Sequence, residues 1–218
     1  MERQDLILNL HGELPSVPID TAEQSFLPTL LSLHHRFPAL RIILEHCTSA
    51  AAIEAVKSCG PTVAATITAH HLYLTKADWA GKDEQAGDPF CFCKPVAKTP
   101  EDRLALLRTA ASGNPKFFWG RIKKREEPPA AGVFTQPYAT QLVLDAFELG
   151  CEEGVLREED VTREVLEGTF YRVEDERRER ITIGKQDERI MQVLKDTEGA
   201  TEVVPFRRGE RTWSVTWK

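Results

Sequence analysis

The sequence lacks the long apolar run of a membrane-spanning helix, since no stretch reaches the required length of about 18 apolar residues. It also lacks a basic excess, because 28 Lys and Arg residues face 34 Asp and Glu residues, a formal net charge of −6. This balance argues against a nucleic-acid surface, which needs a concentrated basic face. The amino terminus has no separate basic and apolar regions, so we expect no signal peptide, no membrane partner and no nucleic-acid partner.

Cysteine is scarce, and its number is odd. The five cysteines are scattered along the chain, a distribution typical of reduced thiols in a cytosolic protein rather than of a disulfide framework. We therefore predict a cytoplasmic protein. Cys91 and Cys93 have no second Cys/His pair at zinc-finger spacing, so we expect no structural zinc there. The length of 218 residues suits one or two domains with a sizeable core.

Two short apolar runs end in a histidine: DLILNLHGE at 5–13 and RIILEHCT at 41–48. Runs of this kind suit strands buried on both faces of a parallel sheet, where ligands and metals are held at the carboxyl ends. Neutral imidazole is the commonest metal ligand, so His11 and His46 are candidate ligands of one metal. The alternative is that both are ordinary polar residues at strand ends. Two ligands are too few for zinc catalysis, which needs about three protein ligands and an open position.

The spacing of the segments predicts an α/β fold with a parallel sheet and right-handed crossovers. The predicted strands of this sheet lie near 6–11, 41–46, 62–67 and 116–119, with helices at 21–36, 50–58 and 101–112. We place the start of the first helix at Asp20 or Thr21, with Glu23 or Gln24 completing a capping box. Two more helices are expected near 135–150 and 158–167, and short tail strands near 181–183, 202–206 and 212–217.

The other candidate residues have weaker support. His70 and His71 follow the third strand, and because adjacent strand residues point in opposite directions, we expect at most one to face the site. His34 and His35 lie within the first predicted helix, where a structural role is the better interpretation. The charged runs 123–127 and 174–180 are interpreted as solvated segments. The connection 70–96 is long, which is typical of functional loops.

A set of ordered motifs resembles the dihydroorotase family of the amidohydrolase superfamily, in its homodimeric bacterial and fungal type. The similarity covers most of the chain. The motifs are LHGE at 10–13, LEHCT at 44–48, AATITAHHL at 64–72, CKPVAK at 93–98, AAGVFTQPYAT at 130–140 and VVPFRRGERTWSV at 203–215.

The resemblance implies a partial (β/α)₈ TIM-type barrel, strands five to eight, over residues 1–170, with a small C-terminal β extension over 171–218. It implies zinc-dependent hydrolysis of the cyclic amide of dihydroorotate, to N-carbamoyl-aspartate, in pyrimidine biosynthesis by a homodimer. His11 and His46 match the ligands of the second of two zinc ions. The residues expected to contact the substrate are His11, Lys94, Ala131 and Gly132.

The sequence departs from the family pattern in two places. The family's first zinc is held by His-x-His and its two zincs are bridged by a carboxylated lysine, and neither feature is matched here. The family also carries a catalytic Asp in Gly-(Ser/Thr)-Asp after the eighth strand, whereas Gly120 is followed by Arg121 and Ile122. We therefore assign no catalytic residue and expect at most one zinc half-site.

Three hypotheses follow from these observations. The first is an incomplete dihydroorotase-type hydrolase, and the second is an inactive paralogue that binds an intact enzyme. The third, which needs only the residues and no resemblance, is a small α/β metal-binding module.

Overall fold

The computed structural model describes residues 1–82, 86–119, 133, 135, 138–174, 177–191, 194–195 and 202–218. The chain divides into two compact units, Met1–Ile122 and Lys123–Lys218. This division does not test the domain boundary that we predict after residue 170, which stays a prediction. Within the described residues, no helix combines the length and the apolar composition needed to cross a membrane.

The first unit contains a four-stranded parallel sheet in chain order, which confirms the predicted α/β class and parallel pairing. All four strands lie within the predicted segments. They are β1 (Leu8–His11), β2 (Ile42–Glu45), β3 (Val63–Ile67) and β4 (Phe117–Trp119).

Four helices connect or flank these strands: α1 (Ile19–Arg36), α2 (Ala50–Ser58), α3 (Lys76–Ala80) and α4 (Pro100–Ala111). Side-chain oxygens fix two of their starts, because Ser49 accepts a hydrogen bond from the Ala52 amide and Thr99 accepts one from the Asp102 amide. The capping box predicted for α1 is wrong. This helix begins after Pro18 without a side-chain cap, and Glu23 turns inward to accept from the Thr48 amide instead.

The sheet is buried unequally. Leu44, Val63 and Ala65 are fully buried, whereas Leu6 and Ile7, which precede β1, are 50% and 43% exposed. The expectation that the first apolar run is buried on both faces is therefore wrong. Within the described residues β1 pairs with β2 alone, so it is an edge strand with one side open.

The connection from β3 to α4 carries structure of its own. It includes two short 3₁₀ turns, Ala69–Leu72 and Pro89–Cys91, with α3 between them. A bridge between Thr75 and Ala97 ties the two ends of the connection together. The last part of the connection therefore lies beside its first part, which directly follows β3.

The second unit combines helices with short strands. Its helices are α5 (Ala139–Glu152) and α6 (Arg163–Thr169), separated by a 3₁₀ turn. The strands pair antiparallel, as expected for the tail, and part of the charged run 174–180 forms a hairpin strand with Arg178 and Arg180 exposed. The strands are β5 (Tyr171–Glu174), β6 (Arg177–Ile183), β7 (Glu188–Arg189), β8 (Leu194–Lys195), β9 (Glu202–Val203), β10 (Arg211–Thr212) and β11 (Val215–Trp217).

Two adjacent leucines of α1 differ in burial, and their substitution tests which face of this helix packs against the core. Leu30 is 0% exposed and Leu31 is 42% exposed. We expect Leu30→Ala to lower the free energy of unfolding by about 2–5 kcal/mol, because it removes buried methyl groups and leaves a cavity. Leu31→Ala should change it by less than about 0.5 kcal/mol. Urea unfolding measures both values, and equal losses would contradict this orientation of α1.

Burial of Asp145 in α5 predicts that the stability of the fold depends on pH. It is 7% exposed, and burial raises its pKa to about 6 although Thr212 and Arg207 act in the opposite direction. The folded carboxyl thus keeps its proton up to about pH 6, while the unfolded one releases it near 3.9. Asp145 therefore contributes fully to stability below the pKa of the unfolded state, and this contribution is lost as pH rises through the pKa of the folded state, about 6.

We expect Asp145→Asn to remove this loss, so that the variant gains stability relative to the parent chain as pH rises from about 4 to 7. Glu152→Gln, an exposed position on the same helix, serves as the control. Urea unfolding across this pH range measures the difference. Parallel stability curves for Asp145→Asn and the parent chain would contradict the assignment.

Candidate metal centre

The structure brings together the two histidines that the sequence predicts as metal ligands. His11 is the last residue of β1, and the parallel register pairs it with Glu45, the residue before His46. The Nδ1 atom of His11 lies 2.6 Å from Nε2 of His46, and the ring centroids are 4.8 Å apart. Two imidazoles thus converge at the carboxyl ends of neighbouring parallel strands.

His46 has an unusual backbone conformation, with a φ angle of 45°. The left-handed region is uncommon for residues other than glycine, and holding such a residue there costs about 1–3 kcal/mol. Thr66 of the neighbouring strand holds the turn, since its hydroxyl accepts from the His46 amide at 2.6 Å and donates to Glu45 at 2.8 Å. Strained residues of this kind collect at functional sites, and no glycine or asparagine marked this one in the sequence.

The charge state of His46 suits a metal ligand. Burial, and then the nearby His11 ring, lower the pKa of His46, so its imidazole is neutral at physiological pH. Neutral imidazole is the form that binds metal. Zinc–nitrogen distances of about 2.0–2.1 Å place two tetrahedral ligands about 3.3 Å apart. A small separation of the two rings therefore accommodates zinc, and the donor set fits half of a zinc site.

Gly12, directly after His11, is required by close packing. A Cβ atom at this position would lie 2.6 Å from Cδ1 of Leu44 and 3.3 Å from Cδ1 of Phe26. Because Leu44 is fully buried, it has little room to move aside. The glycine therefore lets the chain after His11 pack closely on β2 and α1.

A buried lysine joins the chain segments that follow the two histidines. The Nζ atom of Lys98 donates to Glu13 at 3.2 Å, to the Thr48 hydroxyl at 2.9 Å and to a loop carbonyl at 2.7 Å. Glu13 lies two residues after His11, and Thr48 lies two residues after His46. We call these three contacts the Lys98 clasp. It fixes the positions of both histidine-bearing strand ends relative to each other.

Glu23 supports the same region from α1. Its side chain is almost fully buried, and one carboxylate oxygen accepts from the Thr48 amide at 2.9 Å. Burial raises the pKa of this carboxyl, whereas Ser49, Lys98 and Thr48 act in the opposite direction. No local pattern indicates this role, because an acid near a helix start is normally interpreted as part of a cap.

His70 and His71 do not lie on the strand that they follow. Both are buried, and their ring centroids lie 4.3 Å apart in an edge-to-face arrangement. Strand alternation does not apply to them, because β3 ends at Ile67 and both histidines lie in a 3₁₀ turn. The expectation that at most one of them faces the site stays a prediction. His70 is close enough to His46 that the charge of one ring affects the pKa of the other.

The remaining predicted residues are placed as follows. Lys94 is exposed and directly follows the buried Cys93. Ala131, Gly132 and the segment from Gly120, where the family pattern would place an Asp, lie outside the described residues. On α1, the Nε2 atom of His34 accepts from the Gly60 amide at 3.0 Å, in agreement with the structural role predicted for it.

No family model matches the sequence. It is 45% identical over 233 residues to a probable dihydroorotase of Schizosaccharomyces pombe, and 39% identical over 253 residues to the dihydroorotase of Saccharomyces cerevisiae. These alignments cover 100% of this chain but 64% and 65% of the two relatives. The chain therefore spans just under two thirds of the length of the curated relatives that it matches.

Solved structures agree with the sequence comparison. A crystal structure of Saccharomyces cerevisiae dihydroorotase in complex with 5-fluoroorotic acid matches with a TM-score of 0.74 and 36% identity, over 100% of this chain and 65% of that one. The dihydroorotase of Campylobacter jejuni matches with a TM-score of 0.74 and 28% identity, over 99% of this chain and 63% of that one. With the motifs and the histidine pair in place, these matches show that the chain is similar over its whole length to part of a dihydroorotase.

Proposed function

We propose that this chain carries part of the active site of a zinc-dependent dihydroorotase, which hydrolyses the cyclic amide of dihydroorotate to N-carbamoyl-aspartate in pyrimidine biosynthesis. One observation carries the proposal: the Nδ1 atom of His11 lies 2.6 Å from Nε2 of His46, at the ends of adjacent parallel strands. The similarity of the whole chain to dihydroorotases supports the substrate.

In this proposal His11 and His46 hold one zinc ion, and Lys94, Ala131 and Gly132 contact the substrate. Zinc held there would supply Lewis acidity for polarising the amide carbonyl. The protein contributes a neutral imidazole at His46, since burial lowers the pKa of that ring. The ring of His11 is exposed, so it can also meet the substrate beside the metal.

We propose further that β1–β4 correspond to strands five to eight of a (β/α)₈ barrel. Two features support this correspondence, namely the parallel pairing in chain order and the helices α1 and α2 that follow β1 and β2. In such barrels the catalytic groups lie at the carboxyl ends of the strands, which is where the histidine pair lies. The homodimer and the cytoplasmic location stay predictions.

The metal ligands that we propose, His11 and His46, make up half of a two-zinc site. Its six histidines include no His-x-His pair, and Arg121 and Ile122 follow Gly120 where the family carries its catalytic Asp. A complete two-zinc site thus needs groups that these 218 residues do not supply. No observation favours the inactive-paralogue or the small-module hypothesis.

The first test of the proposal measures zinc and turnover together. We expect His11→Ala and His46→Ala each to weaken one zinc site by at least about tenfold, because each removes one of its two protein ligands. His35→Ala, which changes an exposed histidine of α1, should leave zinc affinity unchanged. Competition with a chromophoric chelator measures these affinities.

The zinc-loaded 218-residue polypeptide should hydrolyse dihydroorotate no faster than background, because catalytic groups that act as a unit lose most of the rate when one is absent. A dihydroorotate ring-opening assay measures this rate. Unchanged zinc affinity in both His11→Ala and His46→Ala would overturn the proposed half-site. Turnover that His11→Ala abolishes would show that a further residue or chain completes the site.

The Lys98 clasp makes a separate prediction about stability. The side chains of Lys98 and Glu13 are 7% and 15% exposed, so Lys98→Met leaves a nearly buried carboxylate without its partner. We expect a loss of about 3 kcal/mol or more in the free energy of unfolding. Lys76→Met is the matched control, because Lys76 and its partner Asp20 are 34% and 53% exposed and such pairs contribute less than about 1 kcal/mol.

Urea unfolding of the two variants measures this difference. The double variant Lys98→Met/Glu13→Gln should recover part of the loss, since the unpaired charge is then gone. Equal losses for Lys98→Met and Lys76→Met would show that the clasp does not hold the two strand ends.

A further inference from the structure

A second group of metal-binding side chains lies beside the histidine pair, and the proposed function does not use it. One ring nitrogen of His70, one of His71 and the Sγ atom of Cys93 lie within 4.8 Å of one another. We call these residues the His70–His71–Cys93 cluster. Their exposed fractions are 4%, 1% and 7%.

The hydrogen-bonding capacity of the His70 ring is not satisfied within the described residues. Its Nδ1 atom is buried without a hydrogen-bond partner among the described residues, and its Nε2 atom is 3.5 Å from the Thr68 hydroxyl, a long contact for a hydrogen bond. Burial lowers the pKa of this ring to about 4, so it is neutral and offers a lone pair. A buried polar atom without a partner is destabilising, and an ion bound nearby is one of the few explanations for it.

The His71 ring is already oriented as a metal ligand would be. Its Nε2 atom lies 2.9 Å from the Pro95 carbonyl oxygen, and because a carbonyl can only accept, Nε2 must carry the proton. The lone pair is therefore on Nδ1, to which the Thr68 hydroxyl donates at 2.7 Å. Metal-bound imidazoles commonly donate their other N–H to a backbone carbonyl, which fixes the tautomer and the ring orientation.

We propose that the His70–His71–Cys93 cluster binds a divalent transition-metal cation of the zinc type, through two neutral imidazoles and one thiolate. Zinc–nitrogen distances of about 2.0–2.1 Å and a zinc–sulfur distance of about 2.3 Å place tetrahedral ligand atoms about 3.3–3.7 Å apart. The three ligand atoms would thus have to approach by about 1 Å from their present limit of 4.8 Å. The Thr68 hydroxyl would rotate away from His71 to make room.

The chemistry of the ligands selects the class of metal. Imidazole nitrogen with thiolate sulfur suits zinc and cobalt, whereas magnesium and calcium require oxygen ligands. On binding, the Cys93 S–H bond breaks, a metal–sulfur bond forms and the proton leaves to solvent. Burial holds the pKa of this thiol at about 12 in the metal-free chain, with Asp78 acting in the same direction and Lys98 against it.

This site is independent of the proposed function, because it uses neither His11 nor His46. It also differs from the Cys91/Cys93 pair, at which the sequence predicts no structural zinc. Cys91 does not belong to the cluster, and the partners of Cys93 come instead from the turn after β3. The loop from Cys93 to Pro95 brings sulfur and carbonyl to that turn together.

The experiment titrates the reduced, metal-free 218-residue chain with Co²⁺ and records near-ultraviolet absorption, where a thiolate bound to Co²⁺ gives a charge-transfer band. We expect a band that saturates in the unchanged chain, disappears in Cys93→Ser and remains in Cys91→Ser. His70→Gln should weaken the cobalt affinity by at least about tenfold. The double variant His11→Ala/His46→Ala should keep the band, which separates this site from the half-site of the proposed function.

Absence of the band in the unchanged chain at saturating Co²⁺ would overturn the proposal. A band that survives Cys93→Ser and is lost in Cys91→Ser would overturn it as well, since the ligand would then be the other thiol. If far-ultraviolet circular dichroism shows that Cys93→Ser does not fold, X-ray absorption of the cobalt-loaded unchanged chain decides. Sulfur scattering at about 2.3 Å together with imidazole nitrogens supports the site, and nitrogen and oxygen scattering alone overturns it.

Discussion

The parallel register between β1 and β2 is the constraint on which the candidate site depends. It pairs His11 with Glu45, so His46 emerges one residue beyond its neighbour's end. The left-handed φ of His46, held by Thr66, then turns its ring back toward His11. Shifting the pairing by one residue would direct every side chain of β1 to the opposite face and separate the two rings. The register that packs β1 against β2 therefore also places the two candidate ligands.

Burial at this end of the sheet decides which charge states are available. It lowers the pKa of His46, His70 and His71 and raises that of Cys93, so each of these groups is held in its neutral form. In the same region Lys98 forms an ion pair with Glu13 and donates a hydrogen bond to the Thr48 hydroxyl. Neutral nitrogen ligands beside one anchored ion pair form an environment that accepts a cation without first losing a proton from imidazole.

The features that the sequence predicted are those set by local chemistry. The helices α2 and α4 and the strand that ends at His11 follow from residue type and spacing, which also suffice to bring His11 and His46 together. Features set by tertiary packing were missed. Alternation could not apply to His70 and His71 once the strand had ended. Glu23 was likewise assigned to a cap because its partner, the Thr48 amide, lies 25 residues away.

The closeness of the two histidine groups has an electrostatic consequence. The His46 ring already lowers the pKa of His70, so charge on one group is felt at the other. A cation at the His70–His71–Cys93 cluster would likewise act on His46, weakening the binding of a second cation at the His11 and His46 pair while keeping the His46 ring unprotonated. The Cys93 thiolate reduces the first effect, because it cancels one of the two charges of the bound ion. Sulfur in the His70–His71–Cys93 cluster and nitrogen alone in the His11 and His46 pair would therefore allow two cations to lie near each other at this end of the sheet.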